Sequence, residues 1–204
     1  MGNEKPKYLA SERVYEYLLL TTPNETVGRF AWNLKRLFTK NYRCLQADML
    51  SPHITVGTFL LRKKLESKIV DKLREFAMTV TPFTAEFDGF GSFPKKVVFL
   101  DIANKEPFHE LSKGSRDSSS RFNNDNSHFS FNAHLTIARS MNAEQFENAW
   151  RDWKDKAFKA SSDVNEMLLL RRPFHHEQRN RFEKVTTFVF RGKKGTGGQL
   201  KLDF

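Results

Sequence analysis

The chain has one cysteine in 204 residues, Cys44, so no internal disulfide can form and a small bridge-stabilised scaffold is excluded. That absence favours a reducing compartment, and we expect a cytoplasmic protein. No stretch approaches the ~18 consecutive apolar residues of a helical membrane span, and Met1-Gly2-Asn3-Glu4-Lys5-Pro6 has no apolar run behind its charges. Pro6 also stands where a myristoylation signal wants Ser or Thr. We therefore expect no membrane partner. The glycine-rich tail at 194–198 lacks the Gly-Lys-Ser/Thr ending of a phosphate-binding loop. Acidic residues are in the minority, 24 against 34 Lys and Arg, which leaves a net charge of +10. Such an excess concentrates polyanions around a protein, so nucleic acid or a nucleotide is the leading partner. The cations are scattered rather than run together, and charge biases the reading without deciding it.

What is present is enough for one sizeable core: 39% hydrophobic residues, including 20 phenylalanines, in a chain of single-domain length. Residues 14–20 form a short apolar run rich in strand formers, closed by Thr21-Thr22-Pro23. Asn24 is a fair helix N-cap, and Val27, Phe30, Ala31, Leu34, Leu37 and Phe38 follow at spacings of three and four. Ser51-Pro52 breaks the chain before an alternating, β-branched strand at 53–60, and a second helical pattern covers 63–78. The first half thus reads β-α-β-α. A strand at 83–87, a glycine turn through Gly89 and Gly91 and a break at Pro94 lead into a strand at 97–102, then a short helix starting near Glu106. Residues 112–127, rich in Ser, Asn, Asp and Arg, read as a mobile surface loop. A strand at 131–138 and a helix at 143–158 repeat the order, and strands at 164–170 and 182–190 flank a basic loop. The expected organisation is a single α+β domain over 1–204. Its lobes are read as 10–80 and 95–160, completed by the last strands at 164–191.

His53-Ile54-Thr55-Val56 and His134-Leu135-Thr136-Ile137 share the pattern His-apolar-Thr-apolar, and each sits on the third element of its half. The composition gives roughly 0.4 chance matches to a bare His-x-Thr and roughly 0.06 once both flanking positions must be apolar. Two matches in equivalent places are improbable by chance. On a strand, residues i and i+2 share a face, so each His would project with its Thr into a cleft while Ile54, Val56, Leu135 and Ile137 anchor the core. Two imidazoles with ordinary pKa near ~6.5 can divide acid and base duties while the hydroxyls bind a phosphate. No Asp, Glu or Cys stands at ligand spacing beside either His, which argues against a zinc site, and no cofactor is expected.

At these residues the chain resembles the two-histidine (2H) phosphoesterases, and among them the bacterial 2′-5′ RNA ligase / RNA 2′,3′-cyclic phosphodiesterase group. The resemblance extends from Val14 to Phe190 and rests on Pro52-His53-Ile54-Thr55, on 87–94 (Phe-Asp-Gly-Phe-Gly-Ser-Phe-Pro), on Ala133-His134-Leu135-Thr136-Ile137-Ala138-Arg139, and on 164–170. It implies a bilobal α+β fold with a pseudo-twofold, two β-α-β-α lobes and antiparallel sheets around a central cleft. It also implies metal-independent opening of RNA 2′,3′-cyclic phosphates to 2′-phosphates, with reversible 2′-5′ ligation as a related activity. His134 is read as base and His53 as acid, with Thr55 and Thr136 on the phosphate. By the same resemblance Arg139 would clamp the phosphate, although strand parity places it opposite His134, so that role needs a bulge or a strand end.

Phe59 and Phe131 lie close to the motifs and could stack a base, with core packing as the competing role. His128-Phe129-Ser130 imitates the motif but follows an Asn-rich loop, and we read it as a decoy. Arg171, Arg172, Arg179 and Arg181 bracket His175-His176 in a loop that could contact RNA phosphates. Two other functions remain open: a 2H enzyme for a different cyclic or 2′-5′ phosphoester, and a non-catalytic RNA-end-binding module. No obligatory protein partner is evident.

Overall fold

Apolar residues at alternate positions on one side of each strand, facing amphipathic helices, build a layered α+β arrangement. In this computed structural model, residues 13–45, 47, 50–93, 96–174 and 181–192 are described. Pro94, His175, His176, Arg179 and the 194–198 tail lie outside them. The order is β1 (Val14–Thr21), α1 (Glu25–Tyr42), β2 (Ile54–Arg62), α2 (Glu66–Ala77), β3 (Phe83–Phe93), β4 (Val97–Ile102), α3 (Glu106–Ser118), β5 (His128–Phe129), β6 (His134–Ala138), α4 (Ala143–Trp153), β7 (Lys159–Val164), β8 (Glu166–Pro173) and β9 (Glu183–Val189). The strands form one open antiparallel sheet ordered β7-β3-β4-β6-β2-β1-β8-β9, with short β5 pairing to β2. The strands that carry the two motifs are therefore neighbours at its centre.

Helix ends follow local chemistry. The Asn24 side chain accepts from the Val27 backbone N–H, and Asn142 with Gln145 closes a full capping box on α4. The helices then cross between halves: α1 packs on β6 and β7, whereas α3 packs on β2 and α2. Each central strand is thus roofed by a helix from the other half. The core between sheet and helices contains Tyr17, Leu19, Ile54, Val56, Leu100, Leu135 and Ile137.

Four sequence expectations are corrected. Residues 112–118 are helix, because α3 runs on to Ser118 with Ser112, Ser115 and Ser119 buried. Their hydroxyls bond to the Val56 carbonyl, the Met167 sulfur and the Ser115 carbonyl, so small polar residues form a close-packing face. Gly114 in the same helix lies against the Phe76 ring. The expected glycine turn is a bulge inside β3, where the register with β4 shifts between Phe87 and Phe90 and Gly89 takes a φ of 71°. Residues 159–164 form β7, a strand whose Lys-Ala-Ser-Ser-Asp-Val sequence carries little apolar alternation, and the expected α4 ends earlier, at Trp153. Arg171 and Arg172 belong to β8 rather than to a loop.

Candidate active site

The two central strands meet where Ile54 pairs with Leu135. Antiparallel pairing one step either side of that contact sets His53 opposite Thr136 and Thr55 opposite His134. The four residues then occupy one face, with the two imidazoles diagonal at roughly 7–8 Å between backbones. Ile54 and Leu135 project to the other face, where both are fully buried.

Each motif is followed by the same irregularity. The β1–β2 register skips Val56, and the β4–β6 register skips Ile137, each three residues after its histidine. A bulge reverses the alternation beyond it. Without one, Phe59 would share the face of His53; with it, Phe59 points into the core, 1% exposed and stacked on Tyr17 with ring centroids 5.3 Å apart. The expectation that Phe59 binds substrate is corrected for that reason. The bulge at Ile137 and the end of β6 at Ala138 bring Arg139 round to the motif face, where it lines the same hollows as His53.

The histidines are held alike as well. Nδ1 of His53 lies 2.7 Å from the Ser51 carbonyl, and Nδ1 of His134 lies 2.7 Å from the Asn132 carbonyl, in both cases two residues upstream. A carbonyl can only accept, so Nδ1 carries the proton and Nε2 is left as the exchanging nitrogen in both rings. Phe93 and Phe99 grip the His134 ring at centroid distances of 5.0 and 4.8 Å. Sequence reasoning quoted Phe93 within the 87–94 segment but gave it no role.

Burial pushes the His53 imidazole down to about 4, with the positive charges of Lys35 and Arg139 adding to the effect and the Ser51 carbonyl opposing it. Burial also lowers His134, but there the Asn132 carbonyl and the Asp101 carboxylate favour the proton while Lys105 opposes it. Asp101 pairs with His134 across the β4–β6 ladder and holds Lys105 at 3.0 Å.

Two hollows open on the His53 side. A small one of about 70 Å³ is lined by His53, Thr55, Thr136, Arg139 and Lys35. A larger cleft of about 740 Å³ continues from His53 and Arg139 over a floor that includes Leu18, Leu20 and Leu168, with Arg172 and Arg181 on its rim. Arg172 stacks on the Phe182 ring at 4.4 Å. His134 lines neither hollow and stands across from Thr55 at the edge. Phe131 is 42% exposed, with His109 against its ring at 5.1 Å and the Arg116 guanidinium over it at 5.3 Å. His128 is exposed on β5 opposite Thr58, about 16 Å along the strand from His53.

Sequence reasoning missed Lys35. The signal was a lysine on the apolar stripe of α1, four residues after Ala31 and three before Phe38.

An open antiparallel sheet with paired histidine–threonine strands across a central cleft is the architecture of the 2H phosphoesterases. The chain belongs to the 2′-5′ RNA ligase superfamily, whose family model matches residues 25–174. Among solved structures, it is similar to apo LigT of E. coli, at 15% identity over 87% of this chain and 98% of that one, with a TM-score of 0.63. TT0787 of Thermus thermophilus matches at 18% identity over 88% and 100%, with a TM-score of 0.61. E. coli LigT complexed with 3′-AMP matches at 15% identity over 88% and 98%, with a TM-score of 0.59. These likenesses show the fold. A search of curated protein sequences gives no match. Among the described residues no helix is long and apolar enough to cross a membrane.

Proposed function

We propose that the protein is a metal-independent cyclic phosphodiesterase that opens RNA 2′,3′-cyclic phosphate ends to 2′-phosphates. The observation that carries this is the Ile54–Leu135 pairing, which sets both His-x-Thr pairs around one point on one face. The basic rim and apolar floor of the adjoining cleft suit a nucleotide, and the LigT structure with 3′-AMP is consistent with such a ligand.

In the reaction, water attacks phosphorus as a base takes its proton. The bond from phosphorus to the 3′ oxygen breaks, and an acid protonates that oxygen, leaving the phosphate on the 2′ position. Electrostatics favour His53 as the base, since it is unprotonated near neutral pH; burial and Lys105 lower His134 too, but the Asn132 carbonyl and the Asp101 carboxylate partly offset this, and the ring opening assigns it the acid role that His53 leaves. This reverses the order taken from the sequence, where the two motifs are alike. Thr55, Thr136 and Arg139 hold the non-bridging oxygens as negative charge grows. With a 5′ hydroxyl in place of water, the same step joins two ends through a 2′-5′ linkage.

Lys35 and Arg139 beside His53 would repel a metal cation, so the two imidazoles carry the proton transfers without one. The test is a nucleoside 2′,3′-cyclic phosphate incubated with the protein in excess EDTA, the product resolved as 2′- or 3′-phosphate. Formation of the 2′-phosphate is expected. A 3′-phosphate product, or activity that EDTA abolishes and zinc or manganese restores, would contradict the proposal.

A further inference from the structure

Lys35 is 4% exposed on the core-facing stripe of α1, among Val27, Ala31, Leu34 and Phe38. Its Nζ donates to the Ala47 carbonyl at 3.0 Å, in the connection from α1 to β2 that also carries Ser51 and His53. The same side chain walls the small hollow of about 70 Å³ together with His53, Thr55, Thr136 and Arg139. A hollow of that size has room for a phosphate-sized group and not for a nucleoside.

We propose that Lys35 is the buried cation of the phosphate site, attracting the bound anion from beneath while tying down the segment that presents His53. The inference rests on the phosphoester reading above. Arg139 approaches the hollow from the end of β6 and is placed by the second motif, whereas Lys35 arrives from a helix that no motif includes. Before an anion binds, the same charge bears on His53, which faces Lys35 from α1, Arg139 from the end of β6 and His134 from β6. Binding a phosphate dianion offsets those charges and lets the imidazoles take up protons, so anion binding and protonation are linked.

The experiment is an NMR titration of the histidine ring protons of the full chain, with and without inorganic phosphate, in the wild type, Lys35→Met and Lys35→Arg. In Lys35→Met the His53 midpoint is expected to rise toward the ordinary value without reaching it, because a neighbouring like charge has gone while the burial remains. Phosphate affinity is expected to fall about tenfold or more, and Lys35→Arg to keep both properties near wild type. Melting temperatures of the three proteins separate these effects from unfolding. A folded Lys35→Met with an unchanged His53 midpoint and unchanged phosphate affinity overturns the proposal. If phosphate moves neither histidine resonance in the wild type, the phosphoester reading itself fails, while the His53 midpoint still decides whether Lys35 acts on that ring.

Discussion

His53 and His134 present Nε2 for the same local reason, a carbonyl two residues upstream that accepts from Nδ1. What differs between them is the surrounding charge, cationic at His53 and mixed at His134. Replacing either with Ala should lower turnover by about 10²-fold or more, the usual size of an acid or base contribution, and the double variant should lose far less than the product of the two. Steady-state kinetics check this, and near wild-type turnover in either single variant would remove that histidine from the mechanism. The depressed pKa values place the bell-shaped kcat/KM profile on the acid side of neutrality, rising above about 4 and falling again below His134's ordinary value near ~6.5. A profile centred at pH 8 would contradict the assignment. Stability carries a related signature. A histidine whose folded pKa is below its unfolded one leaves the unfolded chain binding more protons, so its contribution is present above ~6.5 and is lost as pH falls toward the folded value. Thermal melts at pH 7 and pH 5 should show the wild type losing more than His53→Gln, and equal losses would mean that His53 is not desolvated.

At the scale of elements, the bulges after the two motifs decide which residues reach the cleft. Val56 and Ile137 are the skipped positions; the first turns Phe59 away from the face of Thr55, and the second brings Arg139 onto the face of Thr136. Gly57 stands immediately beyond the first bulge, where a Cβ would come within 2.6 Å of the Phe129 ring. Gly57→Ala should therefore destabilise by about 1–3 kcal/mol, as overpacking does, seen as a drop of roughly 2–4 °C in Tm per kcal/mol at this chain length. An unchanged Tm would show that β5 does not press on β2 as described. The buried serines of α3 make a similar point. Ser112, Ser115 and Ser119 recur every three to four residues, a helical spacing hidden by their polarity.

Across the whole molecule, a surplus of ten positive charges surrounds a cleft whose rim carries Arg139, Arg172 and Arg181. If an RNA strand is the substrate, KM for a cyclic-phosphate-ended oligomer should rise with salt more steeply than KM for a mononucleotide, because more phosphates release counterions on binding. Parallel kinetic series at increasing ionic strength decide it, and equal slopes would point to a small-molecule phosphoester.

The paired His-x-Thr strands, the capped first helix, the order of the main elements and the basic balance were all legible in the sequence. Each rests on local information: strand alternation, helical spacing, capping chemistry or a count of charges. The burial of Phe59, the reach of Arg139 and the position of Lys35 beneath the hollow were not. Alternation predicts faces only while the register is regular, and the two bulges are set by how β2 fits β1 and how β6 fits β4. Lys35 reads locally as a lysine on an amphipathic helix; it becomes part of the site because α1 crosses to cover β6, a contact between residues more than ninety positions apart.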